Sequence, residues 1–167
     1  MDEADQADEG LADREIRITR VFDASPELVW KAWTEPERIA RWWGKRGWNT
    51  PVESVTMDVR PGGTFRLNSI SEEDGSEMPV EAVYREVVEP ERLSFGRPSG
   101  DDGPGRGLAI VTLTDLGGGR TEMVFETTIH ATEAIHRAAT GGLESAFDRL
   151  AEDLPTPTPQ SRPRSNR

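Results

Sequence analysis

Near its C-terminus the chain carries one apolar stripe at helical spacing, and a stripe that long must lie on another surface. Ile135, Ala139, Leu143, Phe147, Leu150 and Leu154 recur at intervals of four and three residues. That is the pattern of a helix with one buried face. Thr132 is placed to cap its start, Glu133 lies at its positive end, and Pro155 stops it. Gly141-Gly142 interrupts the face. A glycine in a helix interior costs roughly 0.5–1 kcal/mol relative to alanine. The pair therefore marks a close approach, a bend, or room for a ligand.

The surface that receives this helix is written upstream as strands. Glu15 to Val21 alternates polar and apolar residues, as a half-buried strand does. Ser25-Pro26 then reads as a helix cap followed by proline at the first helical position. The short helix it opens has Val29, Trp30 and Trp33 as apolar positions. Thr34-Glu35-Pro36-Glu37 reads as a capping box for a second short helix, with Ile39, Trp42 and Trp43 apolar and Gly44 at its end. Val55, Met57 and Val59 alternate again, and Pro61-Gly62-Gly63 turns the chain into a strand with Phe65, Leu67 and Ser69 on one face. Val80–Val88 and Leu93–Phe95 follow across Glu89-Pro90-Glu91. Leu108–Leu113 and Thr121–Ile129 form a last hairpin across Gly117-Gly118-Gly119. Strands joined by short turns pair antiparallel. The expected class is α+β: an antiparallel sheet of about six to seven strands, two short helices after strand one, and the long helix packed across the sheet.

Composition excludes much. Cysteine is absent and histidine occurs twice, at His130 and His136. Disulfides, thiol nucleophiles and iron–sulfur clusters are therefore excluded, and no metal or cofactor is expected. The formal net charge is −11, which argues against nucleic acid or an anionic membrane as partner. The longest apolar run is Leu108 to Val111, too short to span a bilayer. The acidic start lacks the pattern of a secretory signal, so the expected location is cytoplasmic. Residues 1–13 carry six acids and no base, and residues 155–167 carry four prolines and three arginines. Both are expected to be disordered, flanking one domain over 14–154.

Four stretches, in this order, carry a resemblance. They are Phe22-Asp23-Ala24-Ser25-Pro26-Glu27-Leu28-Val29-Trp30; Trp33-Thr34-Glu35-Pro36-Glu37-Arg38-Ile39-Ala40-Arg41-Trp42-Trp43-Gly44; Met57-Asp58-Val59-Arg60-Pro61-Gly62-Gly63-Thr64-Phe65-Arg66; and Glu89-Pro90-Glu91-Arg92-Leu93-Ser94-Phe95. With the Val111-to-Glu126 hairpin, they resemble the SRPBCC superfamily of START-like, helix-grip proteins. The narrower likeness is to the bacterial branch named after the heat-shock protein 90 ATPase activator. The resemblance implies a curved sheet gripping the C-terminal helix, with a cavity between them for an apolar or aromatic small molecule. It also implies that the two short helices wall the entrance. Relatives often have Gly-Trp in the long helix where this chain has Gly142-Leu143; the smaller residue implies either more room or a cavity filled differently.

The candidate ligand-binding residues follow from the sheet's inward face and the helix. They are Trp43 and Trp48 at the mouth, then Phe65, Leu67, Ser69, Tyr84, Phe95, Leu113 and Phe125 on the strands. The helix offers Ile135, His136, Ala139, Leu143 and Phe147. Each also fits an ordinary core, because a pocket differs from a core only in being unfilled. Three functions compete. The first is a carrier, sensor or sequestering protein for a hydrophobic or aromatic small molecule. The second is a cyclase- or hydrolase-like enzyme using the same cavity, with Ser69, Tyr84, Arg66 or His136 as its polar group. The third is an ATPase-activating interaction protein with a protein partner. No Ser/His/Asp order, paired carboxylate or zinc motif stands out, which favours the first. Monomer and homodimer are both open.

Overall fold

The structure, a computed structural model, describes residues 10–98 and 106–154. Both hydroxyls read as helix caps do cap. The Ser25 Oγ accepts from the Leu28 amide at 3.3 Å, opening α1 (Pro26–Thr34). The Thr132 Oγ1 accepts from the Ile135 amide at 3.2 Å, opening the long helix α3 (Glu133–Asp153). The expected capping box at Thr34 does not form. Thr34 is the last residue of α1, and its hydroxyl donates back to the Trp30 carbonyl at 2.8 Å. Glu35 is the residue before α2 (Pro36–Trp42) and makes no side-chain cap bond. With α1 and α2 joined through one residue, Thr34 is still inside the first helix and cannot cap the second.

The strands are β1 (Ala12–Phe22), β2 (Trp48–Asn49), β3 (Thr56–Met57), β4 (Thr64–Ser71), β5 (Glu77–Val88), β6 (Arg92–Gly96), β7 (Arg106–Gly117) and β8 (Arg120–Ala131). They form one eight-stranded sheet in the order β1-β8-β7-β6-β5-β4-β2, with β3 paired to β4. All pairings are antiparallel. The strand expected around Val55–Val59 is reduced to the two residues of β3, preceded by a 3-10 turn at Val52–Ser54. The two-residue β2 is too short to show alternation, which is why the sheet has more strands than expected.

The N-terminal strand starts earlier than alternation implies. Ala12 and Asp13, assigned above to the acidic leader, pair with Ala131 and His130. Asp13 also faces the His130 ring at 3.0 Å. A long partner strand, β8, orders these residues although their own composition does not. The expectations for residues 1–9 and for 155–167 fall outside the described residues.

Register sets the inward face. Ile18 lies opposite Phe125 and Ile16 opposite Thr127, and Ser69 opposite Met78. Phe65, Leu67, Tyr84, Leu93, Phe95, Val111, Leu113, Met123 and Phe125 are all buried on that face. The helix meets it unevenly. Ala146, Phe147, Leu150 and the capping Leu154 are buried, whereas Ile135 is 56% exposed. A step of four residues overshoots a helical turn by about 40°, so the stripe drifts by about 120° from Ile135 to Phe147. The second half of α3 thus grips the sheet, and the first half stands over it.

Candidate functional site

Beneath that first half lies a cavity of about 350 Å³. This volume is near the lower end of the roughly 300–1,000 Å³ typical of small-molecule sites. Ala138, Ala139, Gly142, Leu143, Ala146 and Phe147 of α3 form its roof. On the sheet side, Ile16, Phe125, Thr127 and Ile129 come from the paired strands β1 and β8, and Ser69, Met78 and Val80 from β4 and β5. Trp33, Trp42, Trp43, Gly44, Lys45 and Trp48 close the remaining side. Small residues on α3 are what leave the volume empty, since Ala138, Ala139 and Gly142 reach little way toward the sheet.

The wall is almost wholly apolar, and its polar atoms are largely engaged. The Ser69 hydroxyl is 2.8 Å from the Thr50 hydroxyl. Thr127 donates to the Leu108 carbonyl at 2.7 Å, and the Trp42 indole to the Ala32 carbonyl at 3.0 Å. The Trp33 indole points to the Met123 sulfur at 3.4 Å. The one charged side chain on the wall, among the described residues, is Lys45. Its ammonium sits 5.9 Å from the Trp48 ring centroid, within cation–π range.

The segment running from α2 into β2 carries Trp43, Lys45 and Trp48, and it is strapped to α3. The Arg149 guanidinium donates to the carbonyls of Gly44 at 2.8 Å, Trp48 at 3.2 Å and Arg41 at 3.0 Å. Burial lowers the Arg149 pKa from its ordinary value, and the Arg46 charge adds to this. The carbonyl cluster supplies the acceptors that desolvation removes. Arg46 pairs with Glu152, and its amide donates to the Ser145 hydroxyl at 3.0 Å. Gly44 makes the bend with φ +92°, a conformation that L-residues with a Cβ rarely adopt.

The cavity takes part of the expected site and leaves the rest. Trp43, Trp48, Ser69, Phe125, Ala139, Leu143 and Phe147 line it. Phe65, Leu67, Tyr84, Phe95 and Leu113 do not; they are buried at the other end of the groove, which they fill. There Phe65 stacks on Tyr84 at 5.6 Å between centroids and meets Phe95 edge-on at 5.1 Å. Ile135 is turned outward by the drift of the stripe. His136 lies off the cavity because its Nε2 bonds to the Glu15 carbonyl at 2.9 Å. Of the polar candidates for catalysis, Ser69 alone is on the wall. Tyr84 is in the core, and Arg66 is exposed near Glu81 at 3.9 Å.

Ile16, Trp33, Trp42, Met78, Val80, Thr127 and Ile129 were not singled out from the sequence as site residues. Alternation could have found the strand members: two-residue steps from Phe125 lead to Thr127 and Ile129, and from Ala82 to Val80 and Met78. Lys45 had no such signal, because a lone lysine in a turn reads as solvated surface. Among the described residues, no group of three or more His, Cys, Asp or Glu is placed to hold a metal ion. No described helix is long and apolar enough to cross a membrane.

Solved structures share this architecture. A protein from Nitrosomonas europaea superposes with TM-score 0.70 at 23% identity, covering 84% of this chain and 93% of its own. One from Chromobacterium violaceum gives TM-score 0.70 at 23% identity, covering 84% and 97%. An AHSA1-like protein from Aeromonas hydrophila gives TM-score 0.64 at 23% identity, covering 83% and 91%. These likenesses establish the fold. No curated protein sequence matches the chain. The family model described as "Activator of Hsp90 ATPase homolog 1-like protein" matches residues 23–154. The strand–helix–helix–sheet–helix order and that match agree: the chain belongs to the Activator of Hsp90 ATPase homolog 1-like family, with its START-like, helix-grip fold.

Proposed function

We propose that this protein binds an apolar or aromatic small molecule beneath the first half of α3, as a carrier, sensor or sequestering protein. The supporting observation is the cavity of about 350 Å³ with an almost wholly apolar wall. Transfer of a ligand's apolar surface from water into it is favourable by roughly 25 cal/mol per Å². An enzymatic role has weaker support, since Ser69 is the one expected catalytic candidate on the wall and its hydroxyl is already paired with Thr50.

Tryptophan fluorescence tests the reading, because Trp43 and Trp48 sit on the cavity wall. A panel of aromatic and lipid-like compounds is expected to include saturable quenchers. Leu143→Trp, which fills the roof, is expected to abolish that saturation with the circular dichroism spectrum unchanged. A flat response across the panel by the folded protein would sink the proposal. It would favour a protein partner, the reading that the family's description supports. Chaperone ATPase rates with and without this protein would then decide that reading.

A further inference from the structure

We infer that the ligand carries an anionic head group on its apolar or aromatic body, and that Lys45 receives it. This rests on the cavity-binding reading above and narrows the ligand class.

Lys45 is the only charged side chain on the cavity wall among the described residues. The cations around it are engaged. Arg46 pairs with Glu152, Arg41 lies 3.6 Å from Asp153, and Arg149 is spent on backbone carbonyls. Lys45 has no carboxylate within ion-pair distance among the described residues, and its ammonium rests by the Trp48 ring. In a chain of net charge −11, a cation left unpaired at an apolar cavity is a local exception to the surrounding field. Its stem also runs along the cavity roof: a Cβ built on Gly142 of α3 would lie at van der Waals distance, 4.0 Å, from the Lys45 Cδ.

The chemistry then divides the ligand in two. The apolar wall takes a body with no hydrogen-bonding demand, since the wall offers few free partners. The ammonium takes one carboxylate, sulfonate or similar oxyanion through a charge-assisted hydrogen bond. Trp48 beside it offers a flat face to an aromatic group. A neutral analogue would keep the apolar contacts and lose the head-group bond.

Two fluorescent probes make that comparison. Anilinonaphthalenesulfonate and N-phenylnaphthylamine share a body and differ in the sulfonate. The folded protein is expected to bind the anionic probe tighter by about tenfold or more, as a hydrogen bond between charged groups implies. Lys45→Gln is expected to erase that preference while leaving the neutral probe within about twofold. Lys45→Arg, which keeps the charge, is expected to restore most of it. The inference is overturned if the wild type shows no preference, or if Lys45→Gln retains it, while the neutral probe still binds saturably and Leu143→Trp blocks it. If neither probe saturates, or both still bind Leu143→Trp, the cavity reading itself fails and takes this one with it.

Discussion

At the scale of single residues, two positions show how tightly the filled end of the groove is built. A Cβ at Gly63 would lie 1.9 Å from the Asp58 carbonyl oxygen, so the turn into β4 admits no side chain. Gly63→Ala is expected to cost about 3 kcal/mol or more, the upper range for forced overpacking, read as a lower urea midpoint. Tyr84 is the chain's one tyrosine; it is buried, and its hydroxyl has no hydrogen-bond partner among the described residues. An unsatisfied buried hydroxyl costs about 1–3 kcal/mol, so Tyr84→Phe is expected to stabilise the fold by about 1 kcal/mol. Burial, and then the Asp58 charge, raise the Tyr84 pKa above its ordinary value. The folded state keeps the proton while the unfolded chain loses it near pH 10. This contribution to stability is therefore complete below about pH 10 and falls as pH rises beyond it. Urea midpoints at about pH 8 and about pH 11 should show the advantage of Tyr84→Phe widening at the higher pH.

At the scale of elements, a strap joins the mouth segment to α3. The segment after α2 holds the mouth residues, and Arg149 of α3 holds it by bonds to the Gly44 and Trp48 carbonyls, with a third to Arg41 in α2 itself. Arg149→Ala is expected to cost about 1–2 kcal/mol after discounting for its partial exposure. It should also make Trp48 more accessible to acrylamide quenching and weaken probe binding. Arg46→Ala, whose ion pair with Glu152 is exposed on both sides, should change thermal stability little by comparison. Helix starts at Ser25 and Thr132 were legible because a capping hydroxyl acts within three residues. The start of α2 was misread at Thr34 because local spacing does not reveal that α1 still occupies that residue. The strand β2 was missed, and β3 was expected to be longer than it is, because their pairing with β4 is tertiary.

At the scale of the whole molecule, the proposed binding predicts that stability depends on ligand. A molecule that binds the native state alone stabilises it by about 2.7 kcal/mol at one hundred times its Kd. For a chain of this size that is a rise in Tm of about 5–10 °C, which differential scanning fluorimetry with the anionic probe's non-fluorescent analogues can read. Leu143→Trp should lose the rise. The architecture was readable without coordinates. Alternation of apolar residues assigns strands, recurrence at four and three assigns the helix, and antiparallel order follows from short turns; each is a relation between near neighbours in the chain. Which residues share the site was another matter. Phe65, Tyr84 and Phe95 carry the same inward pattern as Ser69 and Phe125, yet one set fills the groove and the other faces empty space. Periodicity states which way a side chain points, while emptiness depends on how many side chains reach a volume from opposite layers. The drift of the α3 stripe, the small residues at its first half, and the clamp of Arg149 on the mouth segment combine only when helix and sheet are superposed. The sequence by itself determined the longer elements, their order and most of their buried faces; the tertiary structure alone decided where the core stops and the cavity begins, because volume is a property of facing surfaces.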